Sequence, residues 1–366
     1  MRIALDATPL IQPSGGISRY TTELAQALAS EFPEDEYWLA SDQDVGNSPS
    51  APNLRRAGRP RNWITRRWWL AGLPLELRRL RADIFHGTDF AVPYLRTVPS
   101  VMTFHDASPW LTGDRRAAGA GRIRRRAPFL LRLATMVITP TEAVRREAME
   151  RFGLAGARVA AVPLAAAEVF RPRPQAETAA LLGRLGAAAP YLLFVGTREP
   201  RKNLGRLVEA WRQVRRVRPL LNLILAGRDS SDFGPAAGLS LPKESGLTVA
   251  QGLGDADIAA LLSGAAVFVY PSLYEGFGLP VLEAMQAGAA VVISRDPALV
   301  EVAGGAAAAV DAESVSEMAR VLVEVTGDDG RRLRLREQGF RRAGEFCWRR
   351  TAVRTREIYV EAMRRF

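Results

Sequence analysis

The feature that most constrains this chain is a repeated alternation of short apolar segments with amphipathic segments of helical length. The apolar segments are rich in β-branched residues, which is typical of buried strands. Predicted strands are Arg2–Ala7, Ala82–His86, Val101–Asp106, Met136–Pro140, Val159–Pro163, Tyr191–Val195, Leu221–Ala226, Leu247–Gln251, Val267–Pro271 and Ala290–Ser294. Predicted helices include Ile17–Ser30, Glu142–Phe152, Leu204–Arg216, Asp255–Leu262 and Val281–Ala287. Strands that alternate with helices predict parallel sheets covered on both faces.

The alternation occurs in two halves, and 366 residues are too many for one ordinary core. Between the halves, Arg171–Pro174 and the alanine-rich stretch after it predict a linker. We therefore expect an α/β protein of two doubly wound, Rossmann-like domains, residues 1–172 and 190–347, facing each other across a cleft. Ligands of such sheets bind beyond the carboxyl ends of the strands, so residues that follow strands are the site candidates.

Composition narrows the class of protein. A single cysteine, Cys347, excludes an internal disulfide framework and a cysteine-rich zinc site. The first residues, Met1–Thr8, form a strand-like run that ends in charge, which is unlike a signal peptide. No uninterrupted apolar run reaches the roughly 18 residues of a membrane span. We expect a cytoplasmic protein.

One segment of the second half combines a glycine turn with two carboxylates. Glu275 precedes the run Gly276-Phe277-Gly278-Leu279, and Glu283 follows it after Pro280, a residue favoured at the first position of a helix. A strand, a glycine turn and a helix N-terminus direct backbone N–H groups at one point, which suits an anion. Carboxylate oxygens accept from sugar or ribose hydroxyls, so the segment predicts a nucleotide-sugar site. Taken alone, the same turn is equally typical of ordinary α/β architecture.

Two further strand-end segments carry candidate residues. Gly15 and Gly16 follow the first strand and allow close backbone approach at the start of a helix, although a structural turn explains them equally well. Arg198 and Lys202 follow the first strand of the second half, where both could bind a diphosphate. Lysine is rare in this arginine-rich chain, so its retention at Lys202 favours a need for a compact ammonium.

Both histidines end strands in the first half. His105, followed by Asp106, is the favoured functional residue, and we expect Asp106 to orient it. His86 is left open between a structural and a functional role. Because His, Asp and Cys never cluster with ligand spacing, no metal site is predicted.

Together these motifs resemble the family 4 retaining glycosyltransferases, which have the GT-B architecture. The matching residues are Gly15-Gly16, His105, Arg198 with Lys202, Ala226-Gly227, Gly252–Ile258, the pair Glu275-x7-Glu283 and the tail Trp348–Tyr359. Segments such as Leu5–Leu10 and Glu199–Asn203 look most like the O-antigen mannosyltransferase branch. The resemblance implies that a helix at about 348–366 packs back on the first domain.

The resemblance also implies roles for these residues. Arg198 and Lys202 would bind the donor diphosphate and stabilise the leaving group. Glu275 and the backbone of Gly276, Phe277, Gly278 and Leu279 would hold the donor sugar and phosphate, and Glu283 would bind the ribose. Gly15 and Gly16 would approach the donor from the other domain, and His105 with Asp106 would lie on the acceptor side.

The expected reaction is transfer of mannose, or a similar hexose or deoxyhexose, from a nucleoside-diphosphate sugar to a glycan or lipid-linked glycan in cell-surface polysaccharide synthesis. A GDP-linked donor is the first expectation. No cofactor and no divalent metal would be needed, and retention would proceed by front-face attack with a donor phosphate oxygen as base. The Arg and Lys pair would then act by electrostatic catalysis.

The net charge is +11, concentrated partly in two arginine-rich segments. Arg55–Arg81 also carries three tryptophans, and Arg115–Arg132 contains no acidic residue. Arginine and tryptophan among apolar residues suit an anionic membrane surface, so a peripheral location on the inner face of the membrane is a further expectation. A solvated helix face remains the alternative. No nucleic-acid partner is expected, because no recognition motif is present.

Two other functions fit the same fold. A nucleotide-sugar 2-epimerase would isomerise its substrate without an acceptor, and the Glu275-x7-Glu283 pair argues against it. A catalytically silent nucleotide-sugar-binding scaffold would not need Arg198, Lys202, Glu275 and His105 together.

Overall fold

The computed structural model describes residues 1–11, 15–46, 48–58, 67–111, 120–227 and 244–366, with side chains in the segment 120–133 described from residue 126 onwards. Contacts divide the chain into two compact units. The first unit takes Met1–Trp110, Gly119–Leu164 and Cys347–Phe366. The second is built mainly from Ala165–Phe346.

In the described residues, the first unit contains a seven-stranded parallel sheet flanked by helices. Its strands are β1 (Arg2–Asp6), β2 (Glu36–Ala40), β3 (Leu54–Arg56), β4 (Ile84–Gly87), β5 (Ser100–Thr103), β6 (Met136–Thr139) and β7 (Val159–Ala161). Its helices are α1 (Gly16–Glu31), α2 (Leu73–Leu80), α3 (Ala120–Leu133), α4 (Glu142–Phe152) and α12 (Trp348–Arg365). The strand order is β3-β2-β1-β4-β5-β6-β7, so the direction of winding reverses between β1 and β4.

The last helix, α12, completes the core of the first unit. It packs against α1, β5 and β6. Tyr359 of α12 is fully buried, and its hydroxyl lies 2.7 Å from His86 Nδ1. At the N-terminus of α12, Thr351 donates to the carbonyl of Pro163 at 2.7 Å. The C-terminal segment is therefore an integral part of this unit.

The second unit has a six-stranded parallel sheet in the described residues. Its strands are β8 (Tyr191–Val195), β9 (Asn222–Ala226), β10 (Leu247–Ala250), β11 (Val267–Tyr270), β12 (Val291–Ser294) and β13 (Ala308–Val310). Its helices are α5 (Gln175–Leu185), α6 (Leu204–Arg215), α7 (Asp255–Gly264), α8 (Leu279–Gln286), α9 (Pro297–Ala303), α10 (Val315–Gly327) and α11 (Asp329–Ala343). The strand order is β10-β9-β8-β11-β12-β13, with the reversal between β8 and β11.

The prediction of two doubly wound α/β domains is confirmed, because both sheets are parallel and each winds outwards from a central pair of strands. The prediction that the alanine-rich stretch is a linker is wrong. This stretch forms the helix α5, which packs on α7 in the second unit. Thr178 of α5 donates to the carbonyl of Ala260 at 2.8 Å. The second unit accordingly begins at Ala165, where the sequence predicted residue 190.

None of the helices in the described part of the chain combines the length and apolarity needed to cross a bilayer.

Candidate active site

In the second unit, the predicted donor residues lie where the direction of winding reverses. Arg198 and Lys202 follow β8, while Glu275 and the glycine turn follow β11, its neighbour in the sheet. Because β8 and β11 are parallel, the segments after them leave the same edge of the sheet. Helices leave in opposite directions from this point, which opens the crevice in which open α/β sheets bind ligands.

A buried ion pair joins the two loops. The Lys202 ammonium donates to Glu275 Oε1 and to the Tyr270 hydroxyl, each at 2.6 Å. Lys202 is 6% exposed and Glu275 is 7% exposed. Tyr270 is in turn fixed by stacking on Phe194, with ring centroids 5.6 Å apart. The ammonium is thus held at a defined position beyond the central strands.

A second cation, Arg201, completes the charge balance and was not predicted. Its guanidinium lies 3.1 Å from Glu275 Oε2 and also donates to Glu199 at 2.8 Å. Leu273 N donates to the carbonyl of Arg201 at 2.8 Å, which ties the two loops together through the backbone. Sequence reasoning took Arg198 and Lys202 from the run and overlooked the arginine between them.

The two cations next to Glu275 determine the protonation state of its carboxyl group. Burial alone would raise the pKa of Glu275, but the Lys202 ammonium and the Arg201 guanidinium lower that pKa to about 2. Burial and the charge of Arg201 lower the pKa of Lys202, while Glu275 opposes that shift. Glu275 is therefore an ionised carboxylate that can only accept hydrogen bonds.

A further carboxylate, that of Asp296, accepts from the backbone N–H of Glu275 at the start of the glycine turn. Its Oδ1 accepts from the backbone N–H groups of Ala298 and Leu299 and so caps α9, while its Oδ2 lies 3.3 Å from Glu275 N. Burial raises the pKa of Asp296 to about 6. An Asp-Pro pair often begins a helix, so the sequence does signal the capping role of Asp296. It does not signal the contact with Glu275, which lies 21 residues away in the chain.

One position of the glycine turn, Gly278, accepts only glycine. Gly278 has a φ of 87° at the start of α8, and an added Cβ would lie 2.4 Å from Leu299 Cδ2. Phe277 is buried edge-on against Phe346, with ring centroids 6.0 Å apart. Glu283 is buried within α8, and its charge contributes to the raised pKa of Tyr270, after burial and the charge of Glu275. Arg198 is also buried.

In the first unit, His105 is held by the loop that follows β4. Its Nε2 lies 2.7 Å from the carbonyl of Thr88, so this nitrogen donates and Nδ1 is the unprotonated nitrogen of the neutral ring. Its ring lies edge-on to Tyr20, with centroids 5.0 Å apart. The expectation that Asp106 orients His105 is wrong: Asp106 Oδ1 accepts from Ser108 N at 2.8 Å, and a backbone carbonyl supplies the orienting bond.

His86 has a structural role, which settles the alternative left open above. It is fully buried, and its two ring nitrogens contact Tyr359 Oη at 2.7 Å and Thr103 Oγ1 at 2.8 Å. Burial, together with the charge of His105, lowers its pKa to about 3, so it stays neutral. With both nitrogens occupied by protein groups, His86 links α12 to the sheet.

Gly15, directly before α1, and Gly16, the first residue of α1, follow β1, one of the two strands at the reversal point of the first sheet. Gly15 has a φ of 140°, which favours glycine, and nothing lies within 4 Å of a Cβ added at Gly16. Much of the predicted basic surface lies outside the described residues, including Arg59, Arg61, Trp63, Arg66, Arg115 and Arg116. In the described residues, no group of three His, Cys, Asp or Glu side chains is arranged to hold a metal ion, and metal independence stays a prediction.

The chain matches the models of two known protein families. The family model for glycosyltransferase family 4 matches residues 14–166. The model for glycosyl transferases group 1 matches residues 185–342. The two matches fall in different units and together span most of the chain. The chain belongs to the family 4 glycosyltransferases and is an enzyme of that class, so the predicted resemblance is confirmed.

Individual relatives agree with this assignment. The O-antigen chain mannosyltransferase B of Escherichia coli is 28% identical, over 98% of this chain and 99% of that protein. Sucrose-phosphate synthase from Thermosynechococcus elongatus has a TM-score of 0.74 at 19% identity, covering 99% of this chain and 98% of that one. HepE of Anabaena, crystallised with UDP and glucose, has a TM-score of 0.71 at 16% identity, covering 97% and 98%. The two structures share the GT-B fold of this chain.

Proposed function

We propose that this glycosyltransferase moves mannose, or a similar hexose or deoxyhexose, from a nucleoside-diphosphate sugar to a glycan or lipid-linked glycan in cell-surface polysaccharide synthesis. The observation that carries the proposal is the buried Lys202–Glu275 pair at the reversal point of the second sheet. The mannose assignment is supported by the similarity to an O-antigen chain mannosyltransferase, and GDP-mannose is the donor that we expect.

The donor diphosphate would bind between Arg198 and Lys202. An ammonium has three N–H donors, and Tyr270 and Glu275 take two of those of Lys202. The third can reach a phosphate oxygen without breaking the pair. Charge that develops on the leaving diphosphate is stabilised by cations already fixed in a buried site, which need no reorganisation during the reaction.

The donor sugar would be held by Glu275 and by the backbone of Gly276–Leu279. Each oxygen of Glu275 faces one cation, Oε1 towards Lys202 and Oε2 towards Arg201, and the four lone pairs of the carboxylate exceed the bonds to these cations, so it can also accept from a sugar hydroxyl. A pKa of about 2 keeps the carboxylate an acceptor throughout the physiological range. Glu283 would accept from the ribose hydroxyls.

The first unit would supply the acceptor side. Nδ1 of His105, the unprotonated ring nitrogen, would accept from a ligand, and Gly15 and Gly16 allow close approach of phosphate or sugar at the start of α1. Transfer would retain the anomeric configuration by front-face attack, with a donor phosphate oxygen as base. Electrostatic stabilisation by Arg198 and Lys202 would replace a divalent metal.

The first test is nucleotide binding in the presence of a metal chelator. Thermal unfolding should shift upwards with GDP and less with UDP, dTDP or ADP, because a ligand at 100 times its dissociation constant adds about 2.7 kcal/mol to the folded state. For a unit of this size, that corresponds to roughly 5–11 °C. Arg198→Ala should remove the shift, whereas Arg184→Ala, in an exposed ion pair, should leave it unchanged.

The outcomes separate the parts of the proposal. A shift with UDP alone would exclude a GDP-linked donor, and a shift that requires added Mg²⁺ or Mn²⁺ would exclude metal independence. No shift with any nucleotide would contradict the donor site. The anomeric configuration of the product, read by NMR from transfer with GDP-mannose, tests retention directly.

We also propose that the first unit docks on an anionic membrane. Exposed apolar side chains occur near arginines in the described parts of both basic segments. In the first segment, Leu70 (39% exposed) and Leu75 (48%) are near Arg67, Arg78 and Arg81 in the sequence. In the second segment, Phe129 (54%) is near Arg126 and Arg132. The two parts adjoin, since Tyr94 N donates to the carbonyl of Trp69 and the Tyr94 ring lies 6.1 Å from that of Phe129. Exposed apolar residues interspersed with arginines along the chain suit the interface of anionic lipids.

Co-sedimentation with vesicles tests this docking. The protein should bind phosphatidylcholine vesicles only when they contain phosphatidylglycerol, and binding should weaken as salt is raised. Phe129→Ser and Arg132→Glu should each reduce binding. Val217→Ser, which changes an apolar residue of the second unit that is 64% exposed, is the matched control. Equal binding to both kinds of vesicle, or no binding to either, would contradict the proposal.

A further inference from the structure

The first unit contains a pocket beside the loop that follows β4. It has a volume of about 170 Å³ and is lined by residues that include Trp69, Asp89, Tyr94, Arg126 and Leu130. It lies at the carboxyl end of β4, next to the reversal point of the sheet, where ligands of doubly wound units bind. Its volume is about half of the ~300 Å³ at which pockets for drug-sized ligands begin. It therefore suits one ring-sized group.

Asp89 supplies a carboxyl group to the lining of the pocket. Its Oδ1 is buried and, among the described residues, has no hydrogen-bond partner. A buried polar atom without a partner carries a desolvation penalty that a bound ligand or an ordered water would relieve. Burial, reinforced by the charge of Asp106, raises the pKa of Asp89 to about 7, so both protonation states are populated near neutral pH. Such a carboxyl can either donate to or accept from a hydroxyl group.

The loop that carries Asp89 is tightly constrained. A Cβ added at Gly87 would lie 1.5 Å from the carbonyl oxygen of Ala91, so the loop folds back on its own start. Phe90, directly after Asp89, has a φ of 46°, a left-handed conformation that is uncommon outside glycine. Backbone strain of this kind is found where a side chain must be held for function.

The walls of the pocket fit a sugar. Trp69 is partly buried against the core, and its carbonyl accepts from Tyr94 N at 2.8 Å, which fixes the backbones of two aromatic residues that line the pocket. Aromatic faces are negative and attract the weakly positive C–H groups of a pyranose. Arg126 and Asp89 supply a donor and a hydroxyl partner. Apolar walls with a few polar groups are the usual composition of a small-molecule site.

The pocket is also next to the acceptor-side histidine. Thr88, which precedes Asp89, accepts from His105 Nε2 at 2.7 Å. The charge of Asp106 is felt at Asp89 as well as at His105. We propose that this pocket binds a pyranose ring of the acceptor glycan, with Asp89 bound to its hydroxyls and Trp69 packed on its face. The proposal rests on the glycosyltransferase function proposed above and assigns the acceptor subsite to named residues.

Saturation-transfer NMR on the full chain tests the proposal, with methyl α-D-mannopyranoside as the probe and octanol as an apolar comparison. The native protein should transfer saturation to the glycoside. Asp89→Ala should weaken its binding about tenfold or more, the effect of losing a hydrogen bond to a charged group. Trp69→Ala should weaken it as well, while Trp69→Phe, which keeps an aromatic face, should retain most of it.

Asp44→Asn is the matched control, because it changes an exposed aspartate of the same unit and should leave glycoside binding unchanged. Thermal unfolding of each variant separates lost binding from lost fold. The proposal is overturned if the native protein binds no methyl glycoside, if binding survives in both Asp89→Ala and Trp69→Ala, or if octanol binds and the glycoside does not. A normal GDP shift without glycoside binding refutes the pocket alone, whereas glycoside binding without any nucleotide shift refutes the donor site alone.

Discussion

Replacing Lys202 by alanine is expected to lower the rate of sugar transfer by a factor of about 10²–10³ or more, the range seen when one preorganised donor to a developing negative charge is removed. The physical reason is the position of the ammonium. It lies buried between Glu275 and Tyr270 beyond the central strands, where no other lysine of the described chain can replace it. Nucleotide release from GDP-mannose in the presence of acceptor measures the rate.

The fold should survive this substitution. Removing one partner of a buried ion pair usually destabilises a protein by about 3–5 kcal/mol, because the other charge is left uncompensated. Here Arg201 remains 3.1 Å from Glu275 Oε2, so the loss of stability should be smaller. Lys202→Met, which keeps the apolar stem, should be still closer to native stability and equally inactive. A folded Lys202→Ala protein with native turnover would refute the role assigned to the ammonium.

The predicted donor residues came from local patterns, and the structure shows why such patterns sufficed for them. Glu275, Glu283, Arg198 and Lys202 all follow buried strands that are easily recognised in the sequence, and in parallel sheets such positions share one edge. What the sequence lacks is the strand order. Only the order β9-β8-β11 brings the loop of Lys202 beside the loop of Glu275, across 73 residues of chain.

The predicted strands omit β2, β3 and β13, and the local signal is weak for the last two, whereas β2 carries the strand-favouring residues Tyr37 and Trp38. β3 is three residues long and carries two exposed arginines, so its sequence is typical of a loop at the edge of a sheet. β13 lies in an alanine-rich run that favours helix over strand. The segment that became α5 was obscured by the prolines before it, although alanine is the strongest helix former.

Supporting residues were missed for another reason. Arg201 and Asp296 act through contacts with Glu275, and neither contact is encoded by spacing. Asp89 was given no role, because its importance depends on two tertiary features: a buried oxygen without a hydrogen-bond partner among the described residues, and a place in the lining of a pocket. Residues that touch a predicted ligand can be inferred from motifs, whereas residues that position them require the tertiary structure.

Gly87→Ala is expected to destabilise the first unit by about 3 kcal/mol or more, at or above the upper end of the usual cost of overpacking. A Cβ at this position would lie 1.5 Å from the carbonyl oxygen of Ala91 and 2.6 Å from its carbonyl carbon. Overpacking against side chains usually destabilises by about 1–3 kcal/mol. Here the obstacle is backbone, which cannot change rotamer, so the loop from Thr88 to Ala91 must move. The measurement is the free energy of unfolding in denaturant, followed separately for each unit.

A matched substitution isolates the clash from the general effect of adding a methyl group. Nothing lies within 4 Å of a Cβ added at Gly183 in α5, and alanine in a helix is favoured over glycine by about 0.5–1 kcal/mol. Gly183→Ala should therefore stabilise the second unit slightly while Gly87→Ala destabilises the first. Displacement of Thr88 also removes the carbonyl that orients His105, so any folded Gly87→Ala protein should bind the methyl glycoside and transfer sugar poorly. Native stability in Gly87→Ala would mean that the loop is not packed against its own start, and the rigid placement of Asp89 and His105 would lose its physical basis.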